Sequence, residues 1–229
     1  MNRLLPRLAV FGLATAFAAC TGAEAPAEDA SSDDGPPDAS SQPLLQPANF
    51  QEEAPERFRI RFATTAGEFV VDVHRAWATR GADRVFNLVR AGFYDGVPIH
   101  RVIEGFVADF GIHPDPWVNA AWRQATIRDD PVRESNARGR VSFSKSGPDR
   151  RTVQIFVNLR DNPSLDDEGF SPFGEVVEGM DVVDALHSGY GDGPPRGEGV
   201  YQAMAIARGA EYFAEFPLLD VIDRATIEN

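Results

Sequence analysis

The chain has 229 residues, of which 43% are hydrophobic, and its 22 Lys and Arg against 35 Asp and Glu give a net charge of −13. An acidic surplus of this size argues against a nucleic-acid partner, which is held through clustered cations. A single cysteine excludes an intrachain disulfide, and the length beyond the N-terminal segments suits one domain with one core.

At the N-terminus, Arg3 and Arg7 flank an apolar run from Leu8 to Phe17 that ends in Ala18-Ala19-Cys20. The run is shorter than the about 20 residues a transmembrane helix needs, so residues 1–20 read as an export signal that is removed. Its ending resembles the lipobox of bacterial lipoproteins, where a small residue precedes a cysteine that becomes the lipidated first residue. Phe17 stands where those proteins usually have leucine. The resemblance implies lipidation of Cys20 and a lipid anchor in the cell envelope; the alternative is an ordinary signal peptide with an incidental cysteine. Thr21 is not the aspartate that usually retains lipoproteins in the inner membrane. In a host with two membranes the resemblance therefore points to the outer one, facing the periplasm.

Residues 21–55 are rich in Ala, Ser, Pro, Asp and Glu, with Ser31-Ser32-Asp33-Asp34 and Gly35-Pro36-Pro37 at their centre. Such a stretch buries too little surface to fold and reads as a disordered tether, whose length favours a monomer. Removing Arg3 and Arg7 leaves 20 basic residues against 35 acidic ones, about −15 for the mature chain.

Residues 56–229 form the expected folded domain. Phe58, Ile60 and Phe62 alternate with Arg57, Arg59 and Arg61, and after Thr64-Thr65-Ala66-Gly67 the alternation resumes at Phe69, Val71 and Val73. This predicts a hairpin with one buried face. From Ala78 the period becomes helical, with Ala82, Val85, Phe86 and Val89 on one face and Gly92 as a stop. Short strands are predicted at 97–103, 106–110, 140–143, 153–159 and 173–177. Residues 114–132, with Trp117 and Trp122, read as a long loop. Met180, Val183 and Leu186 mark a second helix, and Leu218–Ile227 is a candidate closing strand. Many short strands with two helices predict a mainly β fold, a closed antiparallel barrel with helices at its ends.

Ile99-His100-Arg101-Val102-Ile103-Glu104-Gly105-Phe106-Val107 resembles the signature of the cyclophilins, and Val153-Gln154-Ile155-Phe156-Val157-Asn158 and Phe173-Gly174-Glu175-Val176-Val177-Glu178-Gly179-Met180 continue the resemblance in the same order. It covers most of Arg57 to Leu186. It implies an eight-stranded barrel capped by two helices, an outer groove for X-Pro segments, and peptidyl-prolyl cis/trans isomerase activity on proline-containing polypeptides. From Gly189 onward the chain does not match the common short cyclophilins well and reads as an extension. By the same resemblance Arg101 is the central catalytic residue. Gln154 stands beside it to contact substrate backbone or orient the arginine, and Phe106, Val107, Phe156 and Leu165 form the proline pocket. Taken singly, those four would read as ordinary core residues.

The chemistry suits these residue types. Rotating a peptide bond costs about 18–20 kcal/mol because amide resonance is lost, yet no bond breaks, so no nucleophile, general base, metal or other cofactor is called for. In the twisted amide the prolyl nitrogen regains its lone pair, and a donor aimed there stabilises the transition state selectively. Arginine keeps its proton and carries five donors in a rigid fork.

Several positions depart from the family. Asp109 replaces a glutamine and should attract Arg101 directly, either orienting it or tying it down. Lys145, next to Ser144, replaces an asparagine that contacts substrate; Phe170 replaces a histidine at the pocket; Ser164 lies near a usual tryptophan; and Ile155 replaces a phenylalanine. His100, His113, Asp109 and Asp115 have no metal-ligand spacing, and His100 is expected to pack inside. A rival reading keeps the groove but makes the domain a weakly catalytic proline-peptide binding or chaperone module.

Overall fold

The computed structural model describes residues 42–228; the expected signal peptide, Cys20 and residues 21–41 of the tether lie outside them. Strands β1 (Arg57–Thr64) and β2 (Gly67–His74) form the predicted hairpin, with Thr64 opposite Gly67 at the turn. Phe58, Ile60 and Phe62 point inward and are buried. Helix α1 (Thr79–Arg90) buries Ala82, Val85, Phe86 and Val89, and the chain leaves it through Gly92 at φ +70°. That left-handed conformation is open to glycine without steric cost, which explains the stop.

The remaining elements are β3 (Val97–Pro98), β4 (Arg101–Ile103), β5 (Val107–Phe110), α2 (Pro116–Arg123), β6 (Arg140–Lys145), β7 (Arg151–Asn158), α3 (Ser164–Asp167), β8 (Pro172–Glu178), α4 (Met180–Asp184), α5 (Gln202–Arg208), α6 (Ala210–Phe213) and β9 (Val221–Glu228). One antiparallel sheet in the order β3-β9-β1-β2-β8-β6-β7-β5-β4 curls into a half-barrel around the main core. Phe62, Phe69, Tyr94 and Phe110 meet there in stacked and edge-on pairs.

The mainly β antiparallel architecture is as expected, and five details of it are corrected. The sheet has nine strands among the described residues, and β3 and β4 end it without pairing to each other, so it is not a closed eight-stranded barrel. The single predicted strand at 97–103 divides because Pro98 lacks the N–H that a longer ladder needs and His100 turns into the interior. The described helices exceed two. Residues 114–132 contain α2, capped where the Asp115 side chain accepts from Trp117 N, and α2 buries Trp122 in the core. Residues 42–55, assigned to the tether, pack on α1 and α2: Trp122 Nε1 donates to the Leu44 carbonyl at 2.9 Å, Glu52 N donates to Asn87 Oδ1 at 3.0 Å, and Ala54 is buried. Leu44, Leu45 and Phe50 pack against the main core.

The extension after residue 189 builds a second, smaller core from Val200, Ala205, Tyr212 and Phe213 against Ile112. Its last strand, β9, inserts between β1 and β3, so the chain end completes the sheet as the candidate at Leu218–Ile227 suggested.

Candidate active site

Alternation along three neighbouring strands sends one set of side chains to the core and the other to the convex face. On β4, Val102 joins the core and Arg101 faces out; on β5, Ala108 and Phe110 go in, while Val107 and Asp109 go out; on β7, Val153, Ile155 and Val157 go in, while Gln154 and Phe156 go out. Register then aligns the outer residues. Arg101 lies directly opposite Asp109, Asp109 opposite Phe156, and Phe156 opposite Ser142. Directly opposed side chains in an antiparallel pair are close enough to bond. The β4–β5 turn sets this register through Gly105, at φ +62°.

Val107, Phe156 and Leu165 form an apolar cluster separate from the main core, with Phe106 and Phe170 packed against it. The Phe156 and Phe170 rings meet edge-on at 5.6 Å. All ten residues expected at the site, Arg101, Phe106, Val107, Asp109, Ser144, Lys145, Gln154, Phe156, Leu165 and Phe170, line one open groove of about 680 Å³. The separateness of the cluster explains why these apolar residues are a groove wall and not core packing.

Arg101 is held from two sides. Its Nη1 donates to Asp109 Oδ2, its Nε donates to Asp192 Oδ1 at 2.8 Å, and its Nη2 lies 3.5 Å from Asp192 Oδ2. Ser144 Oγ donates to the other Asp109 oxygen at 2.7 Å. The Arg101 side chain is 14% exposed. A guanidinium has five N–H donors, so one on each terminal nitrogen is left unclaimed by these carboxylates. Burial acts to lower the Arg101 pKa, but Asp192 and Asp109 more than offset it and the net shift is upward. Burial pushes the Asp109 carboxyl up, opposed only in part by Arg101 and Ser144. Burial acts likewise on Asp192, where the bond to Arg101 prevails and the carboxyl sits below its usual range.

Two expected roles change in detail. Gln154 lines the groove but makes no hydrogen bond to Arg101, whose orientation comes from carboxylates. Lys145 Nζ is committed to Asp129 Oδ2 at 3.0 Å and the Gly169 carbonyl at 2.9 Å, over the Phe170 ring. It braces the groove wall. His100 is fully buried as expected; desolvation, helped by the Arg101 charge, pushes its pKa down to about 3.

Sequence reading missed the second wall. Asp192, Pro194, Arg196 and Tyr201 of the extension line the same groove. The glycine-rich run from Gly189 to Gly199 was the available signal, since turns packed this tightly need residues without Cβ. A Cβ on Gly193 would lie 2.1 Å from the Val200 carbonyl oxygen, and one on Gly197 2.1 Å from that of Asp192.

The curled antiparallel sheet carries on its outer face a groove that sets hydrogen-bond donors beside an apolar wall. Comparison with known proteins gives the family. Residues 59–208 match the family described as cyclophilin type peptidyl-prolyl cis-trans isomerase/CLD. A peptidyl-prolyl cis-trans isomerase of Streptomyces antibioticus is 32% identical over 148 residues, which are 60% of this chain and 87% of that protein. Peptidyl-prolyl cis-trans isomerase B of Escherichia coli is 30% identical over 135 residues, 56% of this chain and 82% of that one. A crystal structure of a Cryptosporidium parvum cyclophilin type isomerase, obtained in the presence of the dipeptide Ala-Pro, superposes with a TM-score of 0.53 at 16% identity, over 75% of this chain and 99% of its own. The chain belongs to the cyclophilin-type peptidyl-prolyl cis-trans isomerase family. It is a peptidyl-prolyl cis-trans isomerase by that membership.

Proposed function

We propose that this enzyme rotates X-Pro bonds in proline-containing polypeptides of the cell envelope, with Arg101 as the catalytic donor. The observation that carries the reading is one charged donor group with unclaimed N–H positions in the same groove as the Phe106, Val107, Phe156 and Leu165 wall. The proline ring packs on that wall while the preceding residue turns. As the amide twists, an Arg101 N–H meets the lone pair that appears on the prolyl nitrogen. That hydrogen bond has no counterpart in the planar ground state, so its strength goes into rate and not into uniform binding. Shortening tens of seconds to milliseconds takes about 5–6 kcal/mol of such selective stabilisation. Gln154, with no bond to Arg101, is available to the substrate backbone.

The use of Ala-Pro in crystals of the Cryptosporidium parvum relative supports a proline-containing ligand. The export signal and Cys20 support action on exported proteins from a lipid anchor on the periplasmic face of the outer membrane. Mass spectrometry of the protein from its host tests the anchor: a mature chain starting at acylated Cys20 is expected, and an unmodified N-terminus elsewhere removes it.

The weakly catalytic binding reading draws on the two carboxylates that share Arg101. A protease-coupled assay on an Ala-Pro peptide separates the two. The enzyme reading expects turnover well above the uncatalysed rate, and wild type at the uncatalysed rate would favour the binding module.

A further inference from the structure

The extension brings Asp192 to Arg101 from 91 residues away, within the matched residues 59–208 but beyond the three motifs quoted for the resemblance. It grips a different edge of the guanidinium from Asp109. Asp192 takes the side formed by Nε and Nη2, and Asp109 takes Nη1. A planar fork held on two edges cannot rotate about its own axis or swing on its flexible stem, so its remaining N–H groups keep one direction.

Asp192 is itself fixed. Gly193 N donates to its Oδ1 at 3.0 Å, and Gly199 N donates to its carbonyl at 3.0 Å, closing a compact loop over residues 192–199. The loop is tied down at both ends. Ser188 Oγ donates to Glu104 Oε1 at 2.7 Å, on the very turn that sets the Arg101–Asp109 register, and Val200 is buried in the second core. Arg196 Nη1 lies 3.6 Å from Asp192 Oδ2.

We propose that Asp192 is a positioning residue for Arg101 and that the loop carrying it exists to hold that carboxylate in place. This rests on the reading of Arg101 as the catalytic donor. Pre-orienting a donor avoids its reorganisation as the amide twists, so loss of Asp192 should appear in kcat and leave KM nearly unchanged.

The test measures kcat and KM on an Ala-Pro peptide for the wild type, Asp192→Ala, Asp192→Asn, Gly197→Ala and Arg101→Ala, with the Arg101 Nε–H resonance followed by NMR. Asp192→Ala is expected to lower kcat about tenfold with KM within twofold, and to remove the exchange protection of that resonance. Asp192→Asn keeps an acceptor for Nε and should recover part of the loss. Gly197→Ala keeps Asp192 but drives a Cβ into its carbonyl oxygen, and should resemble Asp192→Ala in both readouts. Wild-type kcat and an unaltered Nε–H signal in Asp192→Ala, with Arg101→Ala impaired, would overturn the positioning role alone. Arg101→Ala as active as wild type would instead overturn the reading on which it rests.

Discussion

His100 is fully buried next to Arg101 in the chain, and neither ring nitrogen meets a hydrogen-bond partner among the described residues. Its folded pKa of about 3 lies below the ordinary 6.5, first because burial disfavours the charged ring and then because Arg101 repels it. Between those values the unfolded chain binds a proton that the folded chain refuses. The contribution to stability is therefore complete above the unfolded pKa and is lost as pH falls toward the folded one. At about pH 4.5 the unfolded ring is almost fully protonated, so the loss relative to neutral pH is about 2–3 kcal/mol, or about 5–10 °C in Tm for a chain of this size. His100→Leu removes the titration and the two orphaned nitrogens together. Thermal unfolding of both proteins at about pH 7.5 and 4.5 isolates the effect, because His74 and His113, also lowered by burial, are common to both. The wild type should lose more stability on acidification than the variant by about that amount. Parallel profiles would refute the account of a neutral, desolvated His100.

Phe156→Ala removes part of the ring wall and should lower kcat/KM by about 30-fold, which corresponds to about 2 kcal/mol of lost apolar contact. It should destabilise the fold less than Phe62→Ala, whose side chain is fully buried in the main core and whose loss costs about 3–5 kcal/mol; the reverse order in urea unfolding would mean the outer cluster is core after all. Asp109→Asn removes the charge and leaves one acceptor oxygen where two now serve Arg101 and Ser144 separately, and a kcat/KM about tenfold lower is expected if the carboxylate orients the guanidinium. A rise in kcat/KM would mean that Asp109 restrains Arg101 unproductively.

Much of this site is legible because its residues lie on strands with regular alternation. Once β4 and β5 are joined through Gly105, period two and antiparallel register place Arg101 against Asp109, and the same alternation carries Phe156 and Gln154 to the groove. The apolar wall needed the family resemblance as well, because Val107 and Phe156 are as buried as core residues and only their position on the convex face sets them apart. Asp192 was illegible for a different reason. Its contact joins residues 91 apart through a loop with no repeating pattern, where glycines permit close backbone approach but do not say what is approached. The stretch around Trp122 misled because prolines at 114 and 116 suggest a break, whereas Pro116 opens α2 at the one turn where a missing N–H does no harm. Leu44 and Phe50 looked like tether for lack of a period, and they pack as isolated apolar anchors.

The central claim is that Arg101 stabilises the twisted X-Pro amide. The direct measurement is kcat/KM for isomerisation of an Ala-Pro peptide by the wild type and by Arg101→Ala, with circular dichroism to establish that both are folded. Loss of the donor should lower kcat/KM at least 100-fold, about 3 kcal/mol of transition-state stabilisation. A folded Arg101→Ala protein that isomerises the peptide as fast as the wild type would contradict it.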